Sequence, residues 1–213
     1  MINREDLSGR DNTNTLKSAI CGLAVGDALG IPYEFKFRGA FECTDMIGYG
    51  THNQPEGTWS DDTSMALATC ASIKACGRVD VDDIRDRFRR WLKEGAYSCN
   101  GVPLAEAIME HVPEGSKLSA AIGIENMVNS LSVGSSGDVV DTFVAAMWCL
   151  LTTDNYRDCV LKAVNLGSDT DTTAAVAGGL VGIMYGLEGI PDEWLSKMKS
   201  MDMIDEELFS SLQ

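Results

Sequence analysis

Apolar side chains recur at helical spacing along most of this 213-residue chain. The first run begins at Leu16, with Asn14 or Thr15 as its N-cap, and ends before Pro32. The same spacing predicts helices over Met65–Ala75, Val81–Lys93, Leu104–His111, Ala120–Leu131, Val139–Leu150, Tyr156–Asn165, Thr172–Tyr185, Asp192–Met201 and Asp205–Leu212. No stretch alternates apolar and polar residues with the period of two that a half-buried strand requires. The chain is therefore predicted to be all-α.

Glycines punctuate this pattern in two ways. Gly22, Gly26 and Gly30 fall four residues apart in the first helix, and this spacing predicts close backbone approach by a neighbouring helix. Residues 35–59 are rich in glycine and proline, so they are predicted to form a loop, and we expect this loop to cover a site.

Length, composition and charge indicate one globular domain over residues 1–213, with residues 1–14 as a flexible N-terminal segment. A net charge of −15 argues against nucleic acid or an anionic membrane as a partner. The N-terminus lacks the basic and apolar regions of a secretory signal, and no run approaches the ~18 to 20 apolar residues of a membrane span. Seven cysteines without C-x-x-C spacing indicate reduced core thiols, so a cytoplasmic location is expected.

Two clusters of acids and hydroxyls, Ser60-Asp61-Asp62-Thr63 and Ser168-Asp169-Thr170-Asp171-Thr172, each stand at the start of a predicted helix. Such residues are preferred at helix N-termini, and capping alone explains the first cluster. The second carries more anionic oxygen than capping needs. If the fold brings the two helix starts together, oxygen ligands converge without thiolate or imidazole, which suits Mg²⁺ or Mn²⁺ rather than zinc. The only histidines, His52 and His111, make a histidine triad or zinc site improbable.

Four stretches resemble the ADP-ribosylglycohydrolase family and follow one another in the family's order. They are "AICGLAVGDALGIPYEF", "GTWSDDTSMALA", "SSGDVVDTFVAAMWCLLTTDNYRDCVLKA" and "VNLGSDTDTTAAVAGGLVGIMYG", and together they cover well over half of the chain. The resemblance implies a compact single-domain orthogonal helical bundle with a metal site at converging helix N-termini.

The resemblance also assigns roles to individual residues. Two Mg²⁺ or Mn²⁺ ions are implied, held by Ser60, Asp61, Asp62, Asp169, Asp171 and Thr172. Glu34 is implied to be a mobile residue that guards the site, and Glu34 or Asp62 is implied to complete proton transfer. Asp27 is placed on the substrate side and supports the metal network, with direct ligation and a capping role both open. The remaining implied substrate contacts are Asn100, Gly101, Ser136 and Gly137.

The implied reaction is hydrolysis of a glycosidic bond to ADP-ribose, with an ADP-ribosylated protein or ADP-ribose as partner. This reaction passes through an oxocarbenium-like state, so the enzyme must fix the ribose and deliver water to its anomeric carbon. Paired cations supply both functions without histidine. Arginine is the slightly favoured acceptor, while serine or a small ADP-ribose derivative stays open.

The chain departs from the family in its centre. The segment between the two acid clusters is much shortened, and no acid lies between Gly95 and Leu104, where Asn100-Gly101 is followed by Val102 and Pro103. Asp138 stands where an aromatic residue is common. These departures keep a second hypothesis open, namely a catalytically silent protein that binds ADP-ribose and metal.

Overall fold

The computed structural model describes residues 12–103 and 137–209. Its helices are α1 (Asn12–Gly30), α2 (Asp61–Cys76), α3 (Val81–Glu94), α4 (Gly137–Leu151), α5 (Tyr156–Val164), α6 (Thr170–Tyr185), α7 (Asp192–Leu195) and α8 (Met201–Glu207). Short 3-10 turns lie at Ile31–Tyr33, Gly50–His52 and Leu187–Gly189. Over these two ranges the chain forms no strand beyond one isolated bridge in the loop. The all-α prediction is confirmed.

The helices α1 and α6 pack against each other along their length and form the centre of the bundle. A Cβ atom at Gly22 would lie 2.4 Å from Gly178 O, and one at Gly26 would lie 2.1 Å from Ala174 O. No side chain fits at such distances, so the backbones of the two helices are in direct contact. The close approach predicted from the glycine spacing is confirmed.

Replacement of Gly26 by Ala is expected to lower the free energy of unfolding by roughly 3 kcal/mol, because the added methyl group forces α1 away from α6. Gly179→Ala is the matched control on the same interface. Its Cβ would meet Ala19 O and Leu23 Cβ at 3.7 Å, which is ordinary contact. Alanine also favours the helix, so this control should be neutral or slightly stabilising. Equilibrium urea unfolding measures both variants, and equal stabilities would contradict the packing described.

The other helices surround this pair. α4 and α5 pack on α6, α3 packs on α2, and α8 contacts both α1 and α2. Tyr156 of α5 is buried and donates its hydroxyl to Gly22 O at 2.7 Å, while its ring meets Trp194 of α7 edge-on. These contacts hold α5 and α7 against the middle of α1.

The N-terminus of α1 differs from its prediction. The helix begins at Asn12, so the expectation of a flexible segment up to residue 14 is wrong for residues 12–14. Neither Asn14 nor Thr15 is the N-cap, and Asn14 O instead accepts a hydrogen bond from Ser18 Oγ at 2.7 Å, inside the helix. Residues 1–11 lie outside the described part of the chain.

The C-terminal helices also differ from their predictions. The predicted helix from Asp192 ends at Leu195 rather than Met201, and the last helix begins at Met201 and ends at Glu207. Between them, Lys199 N donates to Gly57 O at 2.9 Å, and Ser200 has a positive φ of 47°. The chain therefore turns against the loop instead of continuing the helix.

Several expectations concern other parts of the chain. The short helices predicted over Leu104–His111 and Ala120–Leu131 lie outside the described residues. All seven cysteines are free, as predicted for reduced thiols. Across the described ranges, no helix combines the length and the apolar character that crossing a membrane requires.

Candidate active site

The end of α1 lies against the start of α6. A Cβ atom at Gly30 would be 2.3 Å from Asp171 Cα, so glycine is required for the approach. Thr170 is buried, and its hydroxyl donates to Gly30 O at 2.9 Å. This junction places the second acid cluster beside the acids of α1 and of the segment that follows it.

Asp27 connects α1 to the first turn of α2. Its carboxylate is fully buried and accepts hydrogen bonds from Ser60 N at 3.0 Å, Thr63 N at 3.1 Å and Thr63 Oγ1 at 2.6 Å. The first amide groups of a helix have no acceptor within the helix. Asp27 is the acceptor for two amides at the start of α2, although it precedes Ser60 by 33 residues and Thr63 by 36 residues. These hydrogen bonds give Asp27 a capping role, and they leave direct metal ligation open.

Two groups of three carboxylates converge at these helix starts. One consists of Asp27, Asp62 and Asp171, and the other of Glu34, Asp169 and Asp171. Within each group, one oxygen atom from each residue lies within 4.8 Å of the others. Asp171 belongs to both groups and so lies between two places where a cation would meet three carboxylates.

The cluster is short of positive charge. Burial raises the pKa of Asp171 to about 8, and the charges of Glu34 and Asp27 add to this shift. Burial, followed by the charges of Asp27 and Asp61, raises the pKa of Asp62 to about 7, although the hydroxyl of Thr172 opposes the rise. Across residues 12–103 and 137–209, no Lys or Arg forms an ion pair with any of these aspartates.

Two buried oxygen atoms at the cluster lack hydrogen-bond partners among the described residues. They are Oδ1 of Asp171 and Oγ of Ser60, the N-cap residue of α2. A buried carboxylate oxygen without a donor is costly unless a cation compensates it. Carboxylate and hydroxyl oxygens are the ligands that Mg²⁺ and Mn²⁺ prefer, so the donor set fits a hard divalent cation.

In chelator, the protein is expected to lose stability as the pH rises from about 4 to 8. An unfolded aspartate titrates near pH ~3.9, whereas Asp62 and Asp171 have raised pKa values of about 7 and about 8 in the folded state. The folded state therefore binds protons more tightly, and this stabilisation is complete below pH ~4 and lost as the pH rises through these raised values. Chemical unfolding across this range should show a shallower decline for Asp171→Asn. Parallel curves for the two proteins would contradict the raised pKa.

Glu34 lies between the carboxylate cluster and the loop of residues 35–59. Its backbone oxygen accepts from Thr51 Oγ1 at 2.8 Å, and its carboxylate contacts Nε2 of His52. A Cβ atom at Gly50 would lie 2.2 Å from Pro32 O, so the loop packs directly on the chain that precedes Glu34. The loop therefore lies beside the site, and its role as a cover stays a prediction.

Other residues predicted for the site take different positions. Asp61 is exposed in the first turn of α2 and lies outside both groups of three. Asn100 and Gly101 are exposed in the turn after α3, where Asn100 Oδ1 accepts from Val102 N at 3.0 Å. Gly137 is the first residue of α4, and Ser136 lies outside the described residues. The structure brings together Asp62, Asp169, Asp171 and Glu34, whereas Asp61 belongs to neither group of three.

Sequence reasoning missed two residues with direct contacts to the predicted site. Thr63 donates both its amide and its hydroxyl to Asp27. Thr63 belongs to the first acid cluster, and this position was the only feature of the sequence that could have indicated its contact with Asp27. His52 contacts Glu34 across 18 positions of the chain, and no sequence pattern indicates this pairing.

Comparison with known proteins gives consistent matches. A family model described as ADP-ribosylglycohydrolase matches residues 10–111 and 102–212. ADP-ribosylarginine hydrolase Tri1 of Serratia proteamaculans is 27% identical, with 93% of this chain and 80% of the relative covered. That alignment runs over 292 positions, so it includes positions that this 213-residue chain lacks. The ADP-ribosyl-[dinitrogen reductase] glycohydrolase of Rhodospirillum rubrum is 30% identical, with 84% of this chain and 88% of the relative covered.

A solved structure shares the fold. A chain described as belonging to an ADP-ribosylglycohydrolase-related protein complex superposes with a TM-score of 0.68, and the match covers 92% of this chain and 96% of that one. Its sequence identity to this chain is 24%, so the match supports the all-α architecture alone.

Proposed function

Because the chain belongs to the ADP-ribosylglycohydrolase family and is a hydrolase of that class, we propose that it removes ADP-ribose from modified arginine side chains of proteins. The observation that carries the proposal is the position of Asp171 between two groups of three carboxylates. One of the similar proteins supports arginine as the acceptor, since it is named an ADP-ribosylarginine hydrolase. Another is named for ADP-ribosylated dinitrogen reductase, which supports a modified protein as the substrate.

We propose that the cluster holds two Mg²⁺ or Mn²⁺ ions. Asp171 would contact both, Asp62 would contact one, and Asp169 with Glu34 would contact the other. The hydroxyls of Ser60 and Thr172 and the carboxylate of Asp61 would complete the ligand set. When bound, such ions orient ribose hydroxyls and lower the pKa of water near the anomeric carbon.

The chain's own residues would then move the protons. Glu34 is half-buried at the edge of the cluster and contacts His52, so it is placed to accept a proton from the attacking water. Asp62 is the alternative acceptor, because its carboxylate lies in the same cluster beside Asp171. Asp27 holds the start of α2 and thereby keeps Asp62 in place.

A second candidate function is binding without turnover. It is favoured by the absence of any acid between Gly95 and Leu104 and by the greater length of the aligned relative. Such a protein would keep the carboxylate cluster and bind ADP-ribose without cleaving its glycosidic bond.

Release of free ADP-ribose from arginine- and serine-modified peptides tests the proposal, with Mn²⁺, Mg²⁺ or chelator present. Cleavage of the arginine-linked peptide with either metal, and none in chelator, is the expected result. Cleavage of the serine-linked peptide alone would correct the acceptor, and full turnover in chelator would exclude the metal-dependent mechanism. Binding of ADP-ribose without release from either peptide would favour the second function.

A further inference from the structure

The residue that follows Glu34 is Phe35, and its aromatic side chain is exposed to solvent. Phe35 is 70% exposed. Its φ of 64° lies in the left-handed region, which glycine adopts freely and a bulky residue adopts only under constraint. Because glycine would suit this backbone better, the conformation alone does not account for a phenylalanine at this position.

Two backbone hydrogen bonds impose that conformation. Phe35 N donates to Ser168 O at 2.8 Å, and Ser168 N donates to Lys36 O at 2.8 Å. Ser168 also has a positive φ of 65°, and it directly precedes Asp169. The contact that turns Phe35 outward is therefore also the contact that sets Asp169 at the start of α6. Strained residues held in this way concentrate at binding and catalytic sites.

His52 links the Phe35 ring to the carboxylate of Glu34. The two rings meet edge-on, with centroids 6.1 Å apart and planes inclined at 61°, and Nε2 of His52 contacts Glu34. Among the described residues, no Lys or Arg side chain covers the Phe35 ring. In the part of the chain that the structure describes, the cation–π contacts involve the rings of Tyr33, Trp148 and Trp194.

An open aromatic face near a carboxylate offers the two interactions that suit a guanidinium group. The ring stacks on the flat cation, and the nearby negative charge of Glu34 attracts it. We propose that Phe35 determines acceptor specificity by stacking on the guanidinium of an ADP-ribosylated arginine. A serine linkage presents neither a cation nor a plane to this ring. The inference rests on the proposed function, since it names the residue that recognises the acceptor.

The test compares Phe35→Gly and Phe35→Tyr with the matched control Phe37→Gly. Phe37 lies two residues further along the loop and is 85% exposed, but it has no ring contact with His52. Phe35→Gly is expected to lower kcat/KM for the arginine-linked peptide by roughly 3- to 30-fold, mainly through KM. Calorimetry should show unchanged affinity for free ADP-ribose. Phe35→Tyr should retain wild-type specificity, and Phe37→Gly should behave as wild type.

The melting temperature shows whether Phe35 has a structural role, because loss of such a role would lower it. Phe35→Gly relieves the positive φ, so it should melt at least as high as Phe37→Gly. A lower melting temperature, or equal losses of affinity for free ADP-ribose and for the arginine-linked peptide, would overturn the inference. Unchanged cleavage by Phe35→Gly would overturn it and leave the proposed function standing.

A wild type that cleaves neither peptide would overturn the proposed function alone. Binding still tests Phe35 in that case, because the wild type should bind the arginine-linked peptide more tightly than free ADP-ribose. Phe35→Gly should abolish this difference, and persistence of the difference would contradict the inference.

Discussion

Replacing Asp171 by Asn is expected to reduce turnover by about 10³-fold or more while the protein stays folded. Asp171 is the one carboxylate common to both groups of three, so its loss weakens both proposed cation positions at once. Metal ions contribute several kcal/mol of transition-state stabilisation, and each ~1.4 kcal/mol corresponds to a tenfold rate. Asparagine keeps the shape of the side chain, so the packing of Gly30 against α6 should be unaffected.

The same variant should melt higher than the wild type in chelator, because burial of Asp171 requires the carboxyl group either to take up a proton or to keep a charge that no cation compensates. Asp154→Asn is the matched control, since Asp154 is exposed in the turn before α5. It should change neither turnover nor melting temperature. Retained turnover in Asp171→Asn, or a lower melting temperature in chelator, would assign Asp171 a purely structural role.

Replacing Glu34 by Gln is expected to lower turnover by ~10² or more and to leave the affinity for free ADP-ribose unchanged. The substitution removes the group proposed to accept a proton and preserves its size and its contact with His52. Single-turnover release of ADP-ribose measures the first effect, and calorimetry measures the second. Glu42→Gln provides the control at an exposed position of the same loop.

Parallel losses of turnover and affinity would instead make Glu34 a binding residue. Undiminished turnover would instead indicate that Asp62, the alternative acceptor, takes the proton. Because Glu34 also belongs to the second group of carboxylates, Mn²⁺ affinity should be measured for the same variant. A large loss of that affinity would show that ligation, rather than proton transfer, explains the lower rate.

The helical architecture follows from the sequence, because helical spacing is a local pattern. The sequence also placed acids and hydroxyls at two helix starts, but their convergence depended on how the helices pack and was implied only by the family resemblance. Glycines four residues apart allow one helix backbone to touch another, and the structure shows this contact along α1. Acids and hydroxyls at helix starts meet wherever two such starts are packed together. The junction of Gly30 with Asp171 brings this about.

The contacts that organise the site depend on tertiary structure and could not be predicted. Asp27 accepts the first amides of α2 from another helix, a pairing that no local spacing indicates. His52 reaches Glu34 only because the loop folds back over Pro32. In the same way, contact with Gly57 ends the helix at Leu195, where the local pattern favours its continuation.

Titration of the metal-free protein with Mn²⁺ tests directly whether the carboxylate cluster holds two ions. Calorimetry gives the stoichiometry, and electron paramagnetic resonance detects coupling between the ions. We expect two magnetically coupled ions per chain, because Asp171 belongs to both groups of three carboxylates and would be a ligand to both ions. Asp171→Asn should lose the coupling and at least one of the two ions, whereas Asp154→Asn should keep both. A wild type that binds one ion or none, or an Asp171→Asn variant that still binds a coupled pair, would exclude a two-ion site built on Asp171.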